Sequence, residues 1–406
     1  MHSGVVVVKI DIYTMERLVQ QMKFLHLGDL HIGKSLGEFN LIEDQKFILN
    51  QILDIAGKQS VDAVLIAGDV YDKPIPSEEA VGLFDYFLCK LAAMKIKTFV
   101  ISGNHDSDER LNFGSSLFEA NQLYISAKYG GQLYKQELTD EYGKINVYLL
   151  PFVKASQVKH FFPEEEIDSY DKAVSVIIDH AKIDKKERNI LVAHQFVAGK
   201  SGDPVMGGSE SAAVLNVGLV EKIGTDCLNE FDYVVLGHIH SPQKVGREEI
   251  RYSGSLLKYS QSEVNNDKSV PLVIVGAKGD VSIELIKLKP LRDMRHIKGK
   301  MEQLLDKENI KSPDDFIYVT LTDEDPINDA MGIFQQYYPN TIKIDYDNDH
   351  TRAIGQVDIS RIVEDKSFPE LISDFYHLMY GCEISEEEMA IMKEVAREAG
   401  VTDETD

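Results

Sequence analysis

The chain has 406 residues, with 43 lysines and arginines against 67 aspartates and glutamates, a formal net charge of −24. That length allows two or three domains, and 43% hydrophobic with 27% charged content argues against wholesale disorder. No run approaches the ~18 apolar residues that cross a bilayer, and three scattered cysteines (Cys89, Cys227, Cys382) argue against a disulfide framework or a cysteine zinc site.

Residues 1–21 stand apart from the rest of the chain. Met22 directly precedes an apolar run, so the first 21 residues read as a tag or alternative start, with an edge strand over residues 5–12 as the alternative. They lack the charged n-region and cleavage site of a signal peptide, which makes a cytoplasmic location the expectation. From residue 22 to about 289, short branched apolar runs (24–27, 63–67, 98–102, 190–193 and 233–236) each stop at a glycine or polar turn. Early on they alternate with amphipathic stretches at 41–56 and 77–94, the signature of α/β layering. Residues 250–288 read as strands and turns.

Around Pro290 the character changes to a basic stretch containing Lys287, Lys289, Arg292, Arg295, Lys298 and Lys300. A strand–helix–strand unit is expected at 316–321, 327–337 and 341–344. The last 40 residues read as two helices: 368–380, stopped by Gly381, and a second begun by Ser385 with Glu388 three residues on, a capping-box spacing. The division expected is an extension (1–21), a catalytic domain (22–289), a small α/β capping domain (290–363) and C-terminal helices (364–406).

Five strand ends carry side chains that bind metals: Asp29 and His31; Asp69 and Asp72; Asn104, His105 and Asp106; His194; and His238 and His240. In an extended segment, residues two apart share a face, so Asp29 with His31 and His238 with His240 can each aim two donors at one point. Gly28, Gly68, Gly103 and Gly237 precede four of the clusters, where tight turns must form. Mixed imidazole and carboxylate donors suit Mn²⁺, Fe²⁺ or Zn²⁺ better than Ca²⁺ or Mg²⁺. His2, His26, His160, His180, His296, His350 and His377 show no such spacing and read as surface or packing residues.

This set resembles the calcineurin-like metallophosphoesterases, whose pattern is D-x-H, G-D-x-x-[DH], G-N-H-[DE], H and G-H-x-H. The resemblance implies a four-layer αββα sandwich and two metal ions. Asp29, His31, Asp69 and His240 would hold the first; Asp69 would bridge to the second, held also by Asn104, His194 and His238. His105 would contact the scissile phosphate or leaving oxygen, with Asp106 orienting its ring. A carboxylate suits the bridge because it offers two oxygens and a charge that offsets cation repulsion. An imidazolium suits the charge that develops on the phosphate. The arginines that follow the second and third motifs in phosphoprotein phosphatases are missing here, which counts against that activity.

A more specific likeness runs from Met22 onward, to the SbcD-type nuclease subunits of bacterial complexes with a coiled-coil ATPase. It is carried by residues 22–34, by Gly237-His238-Ile239-His240-Ser241-Pro242-Gln243, by Tyr252-Ser253-Gly254-Ser255, by Pro290-Leu291-Arg292-Asp293 and by Ser373-Asp374-Phe375-Tyr376. It implies two Mn²⁺ ions, with Mg²⁺ or other divalent cations as substitutes. The implied activity is 3′–5′ exonuclease action on duplex ends and endonuclease action on single strands and hairpins. The implied setting is DNA repair, recombination and replication, as a homodimer within a heterotetramer with an SbcC-type ATPase. Asp72 stands where some relatives carry a histidine, and is expected behind the metal ligands rather than among them. Leu371, Phe375, Leu378 and Met379, then Met389, Met392 and Val395, form an apolar stripe suited to gripping the ATPase. Lys34, Ser35, Asn112 and the basic stretch are candidate phosphate contacts. Two other classes stay open: a small-molecule phosphodiesterase, and a non-catalytic scaffold whose metal site stabilises the fold.

Overall fold

The structure is a computed structural model that describes residues 21–200, 202–206, 222–349, 368–380 and 383–398. The readings made for residues 1–20, and for the side chains of Leu378 and Met379, lie outside the described residues. Two compact units divide between Leu291 and Arg292.

The first unit is built on two six-stranded sheets. In one, Met22–Leu27, Ala63–Ala67, Lys97–Ile101 and Leu123–Ser126 pair in parallel, and Ser269–Val275 and Val281–Lys287 add an antiparallel flank beside Met22–Leu27. In the other, Gly143–Leu150, Arg188–His194, Tyr233–Gly237 and Arg247–Tyr252 are parallel, with antiparallel edges at Tyr134–Asp140 and Gln243–Val245. A strand covered on both faces needs an unbroken apolar run; Ala63–Ala67, Ala-Val-Leu-Ile-Ala, is buried at every position.

Alternation then assigns the faces. Phe24, Leu65 and Phe99 from the first sheet meet Val147, Val192 and Val235 from the second in one inter-sheet core. On the outer face of the second sheet, Leu191, Val234 and Leu236 pack with Val174, Ile177 and Ile178 of the helix Tyr170–Ala181. The helices Ile42–Gln59 and Glu78–Ala93 bury Ile48, Leu49 and Ile52, and Leu83, Phe84 and Phe87. Helix Glu78–Ala93 starts at Ser77, whose hydroxyl accepts from the Ala80 amide at 3.2 Å. The result is the four-layer α/β sandwich expected, each large buried side chain contributing about 1.5–3 kcal/mol of transfer free energy.

In the second unit, Met294–Gly299, Phe316–Leu321 and Thr341–Tyr346 form a parallel three-stranded sheet. Its core is Ile317, Val319, Leu321, Phe334 and Tyr338. The helix expected over 327–337 is shorter, Ala330–Gln335, because Asp329 turns the chain at φ +52° and caps the Gly332 amide at 3.2 Å. Helices Phe368–Tyr380 and Glu386–Glu398 follow. Ser385 and Glu388 form the reciprocal capping box: Glu388 N donates to Ser385 Oγ at 3.3 Å, and Ser385 N to Glu388 Oε2 at 3.0 Å.

Candidate metal centre

Parallel strands end on the same edge of a sheet, where the crevice outside their carboxyl ends collects side chains. The five ligand-bearing turns all follow strands of the two parallel blocks. The two edges come together at glycines: a Cβ on Gly237 would fall 1.9 Å from the Ala67 carbonyl oxygen, and one on Gly68 would fall 2.5 Å from His194 Nδ1.

The reason for the convergence differs from the extended alternation read from the sequence. Asp29 (φ +52°), His31 (φ +44°), Asp69 (φ +48°) and His238 (φ +99°) all adopt positive φ. The ligand pairs therefore converge through successive left-handed turns beyond the strand ends. That conformation is strained for non-glycine residues, and it persists where surrounding structure imposes it.

Side chains from all five turns meet. His31 Nε2 and His240 Nε2 lie 3.1 Å apart, and Asn104 Oδ1 lies 3.1 Å from His194 Nε2 and 2.9 Å from His238 Nδ1. Asp69 stands between the two groups. Its Oδ1 accepts from the His105 amide at 2.9 Å, while Oδ2 is 3.5 Å from His31 Nε2 and 3.4 Å from His194 Nε2. Asp29 Oδ1 accepts from the His238 amide at 2.8 Å, and its Oδ2 is buried without a hydrogen-bond partner.

Asp29, His31 and His240 offer ligand atoms within 4.8 Å of one another, as do Asp29, Asp69 and His194. Two imidazole nitrogens facing each other and an orphaned buried carboxylate oxygen are unfavourable without a cation. The donor set therefore fits divalent metal ions.

Electrostatics among the ligand side chains carry the same mark. Burial pushes Asp29 up to about 6, with Asp69 adding to the rise and His194 and His240 opposing it. Burial lowers His31 to about 4 and, with the charge of His194, lowers His238 to about 3. Burial also works against a charged His194, yet the Asp69 and Asp29 carboxylates carry it up to about 9. Despite burial, the neighbouring histidines hold Asp69 well below the usual carboxylate range.

Known proteins resemble this chain over most of its length. Residues 22–242 match the calcineurin-like phosphoesterase family, and residues 290–380 match the type 5 capsule protein repressor C-terminal domain. The SbcD subunit of the SbcCD nuclease of Staphylococcus epidermidis is 35% identical over 363 residues, which cover 88% of this chain and 93% of that protein. The chain belongs to the calcineurin-like phosphoesterase family, in its SbcD branch. A dimetal phosphatase from Danio rerio aligns with 66% of this chain and 99% of its own at a TM-score of 0.35 and 12% identity, too distant to carry an argument.

In this phosphoesterase His105 and Asp106 part company. The sequence reading paired them, but His105 Nδ1 donates to the Asp72 carbonyl oxygen at 3.0 Å. The Asp106 carboxylate instead accepts from the amides of Gly103 (2.9 Å), Val70 (3.1 Å) and Tyr71 (2.9 Å). Asp106 therefore ties the second and third ligand turns together, and does not orient the His105 ring. Consecutive residues in a tight turn point apart, so the adjacency misled. Burial and the Asp69 charge raise Asp106 to about 6 against those amides.

Asp72 lies behind His31, with Oδ1 3.5 Å from His31 Nδ1 and 2.7 Å from Lys34 Nζ. Although burial opposes it, His31 and Lys34 hold the Asp72 carboxyl below its usual range.

Four supporting residues escaped the sequence reading. Gln45 Nε2 donates to the His31 carbonyl at 2.7 Å, Tyr259 donates to the Leu30 carbonyl at 2.6 Å, and Glu263 and Lys268 approach His240. Ser255, quoted only for its motif, joins them. The signal for Tyr259, Glu263 and Lys268 was a polar turn after the Ser253-Gly254-Ser255 run, while Gln45, inside the helix Ile42–Gln59, left none.

The basic stretch is largely engaged within the chain. Lys287 pairs with Asp267 at 2.8 Å, Arg295 with Asp315 at 2.7 Å and Lys298 with Asp347, while Arg292 lies over the Phe316 ring at 4.4 Å. Ser35 is exposed, and Asn112 ends the short helix Asp108–Leu111. His26 is a packing residue, buried between Tyr233 Oη and the Leu236 carbonyl, each 3.1 Å away. Along the tail helices, Phe375 (58%), Val395 (54%) and Met392 (38%) are exposed, whereas Leu371 and Met389 are half-buried.

Proposed function

We propose that this phosphoesterase is a two-metal, Mn²⁺-dependent DNA nuclease that works with an SbcC-type ATPase in DNA repair, recombination and replication. Its substrates would be duplex ends, cut as a 3′–5′ exonuclease, and single strands and hairpins, cut as an endonuclease. The observation that carries the two-metal reading is Asp69 Oδ2, placed 3.5 Å and 3.4 Å from histidine nitrogens of two different ligand groups. Likeness to a nuclease subunit over nearly the full length of both chains favours DNA over a small phosphodiester.

Asp29, His31, Asp69 and His240 would hold one cation, and Asp69, Asn104, His194 and His238 the other. Bound divalent ions would supply Lewis acidity and hydroxide at neutral pH. The chain's own contribution is positioning and proton transfer. The Asp72 carbonyl can only accept, so His105 Nδ1 carries hydrogen and Nε2 is the atom left to face the phosphate or leaving oxygen. The His105 amide at the same time holds Asp69 Oδ1, leaving Oδ2 to the cations.

The exposed apolar residues of the tail helices support an ATPase-binding role. Exposed Phe47 and Val81, on the helices Ile42–Gln59 and Glu78–Ala93, support homodimerisation. No helix among the described residues is long and apolar enough to cross a membrane.

The test is Mn²⁺-dependent cutting of labelled hairpin DNA by wild type and His105→Ala. Wild type should cut, and the variant should be slower by about 10²–10⁴-fold, the usual effect of a positioned acid or base. Equal cutting would refute the role of His105. Failure of wild type to cut hairpins while hydrolysing bis-p-nitrophenyl phosphate would favour a small-molecule phosphodiesterase.

A further inference from the structure

Residues 253–268 are built around His240. Gly254 sits at φ +74°, and a Cβ there would come within 2.6 Å of the His240 carbonyl oxygen, so only glycine lets the loop approach. The Ser255 amide donates to that carbonyl at 3.2 Å, and the Lys268 ammonium donates to it at 2.9 Å. Lys268 also donates to Glu263 Oε2 at 2.6 Å and to the Ser255 hydroxyl at 2.8 Å, which accounts for its three N–H bonds.

Glu263 is fully buried and places Oε1 3.3 Å from His240 Nδ1. A ring nitrogen facing a carboxylate keeps its hydrogen, which leaves the lone pair on Nε2. Nε2 is the atom that meets His31 Nε2. Tyr259, from the same stretch, makes T-shaped ring contacts with both His31 and His240, with centroids 5.7 Å and 5.9 Å away.

A buried carboxylate–ammonium pair carries a desolvation cost that well-packed apolar residues avoid, so stability is a poor reason for its presence. Its geometry supplies a better one: Lys268 fixes the backbone of His240 and Glu263 fixes its ring. The opposite ligand group is held differently, since His194 Nδ1 donates to a neutral carbonyl, that of Ala67, at 2.7 Å.

We propose that Glu263 is a positioning residue for His240 and, with Lys268, selectively strengthens the cation site that His31 and His240 face. This rests on the two-metal reading of the proposed function, and it deepens it by making the two sites unequal in what supports them.

The experiment is Mn²⁺ binding by calorimetry and metal content after desalting, on the full chain, for wild type and Glu263→Gln. Wild type should hold two Mn²⁺. The variant should keep one at unchanged affinity and bind the other about 10–100-fold more weakly. Its Mn²⁺ requirement for bis-p-nitrophenyl phosphate hydrolysis should rise by the same factor, while the rate at saturating Mn²⁺ returns to near wild type.

Two unchanged affinities in the variant would overturn this inference alone, as would a rate lowered equally at every Mn²⁺ concentration. Fewer than two Mn²⁺ in wild type would overturn the two-metal reading, and the inference with it. Should Glu263→Gln fail to fold, the pair Glu263→Gln with Lys268→Met removes both charges together and carries the same expectation. Unchanged affinities there would equally overturn the proposal.

Discussion

His194 condenses the chemistry of the site into one titration. Its pKa is carried up to about 9 by Asp69 and Asp29, against the burial that opposes it, when no cation separates them. Unfolded, the same imidazole titrates near 6.5. A histidine held above its unfolded value adds stability that is complete below about pH 6.5 and is lost as the pH rises through about 9. The amount is on the order of 3 kcal/mol. Metal-free protein should therefore lose that stability between pH 6.5 and 9 in urea titrations in EDTA. With Mn²⁺ the slope should flatten or reverse, because ligation requires the neutral imidazole. The same slope with and without metal would show that His194 is not a ligand. At this scale the sequence named the side chains that meet, because imidazoles and carboxylates at strand ends are rare and their chemistry is readable. It did not show how they converge, since positive φ at Asp29, His31, Asp69 and His238 is imposed by contacts from distant turns. It misassigned Asp106 for the same reason, taking a neighbour in sequence for a neighbour in space.

Elements were more legible than residues. Runs such as Ala63–Ala67 and Tyr233–Gly237 are apolar throughout because both faces are covered, and that requirement is written in composition. The capping box at Ser385 and Glu388 likewise needs only local geometry. The supports of the metal centre were not legible. Gln45 lies in a helix, and Glu263 and Lys268 in or after an irregular turn, so tertiary contact alone gives them meaning. At the joined strand ends, Gly237→Ala drives a Cβ into the Ala67 carbonyl, which a backbone cannot evade. The substitution should lower the melting temperature sharply, and a variant as stable as wild type would mean the strand ends can separate. Further along the chain, ending it at Val363 removes the helices that expose Phe375 and Val395. It should keep Mn²⁺-dependent cutting of hairpins but lose the ATPase partner. A truncated chain that still pulls that partner down would place the contact elsewhere.

The charge of the whole molecule sets how it can meet DNA. Residues 302–406 carry 26 acidic and 8 basic side chains, a net −18, so residues 1–301 carry only −6. The catalytic domain at 22–289 carries −9 of the total, so it repels a duplex less than −24 suggests. Much of the basic stretch is paired with Asp267, Asp315 and Asp347. On the proposed two-metal reading, the largest positive charge available to a phosphate would be the bound cations, which would add +4 beside buried carboxylates. DNA affinity of the chain alone should consequently depend on divalent ions more than on lysine and arginine contacts. Hairpin binding measured in Ca²⁺, chosen to occupy the site without supporting rapid cutting, should exceed binding in EDTA by tenfold or more. Its dependence on monovalent salt should be shallow, because each lysine or arginine contact to phosphate adds about 0.9 to the slope of log K against log salt. Strong binding in EDTA with a steep slope would reveal a basic surface that this distribution of paired charges does not provide.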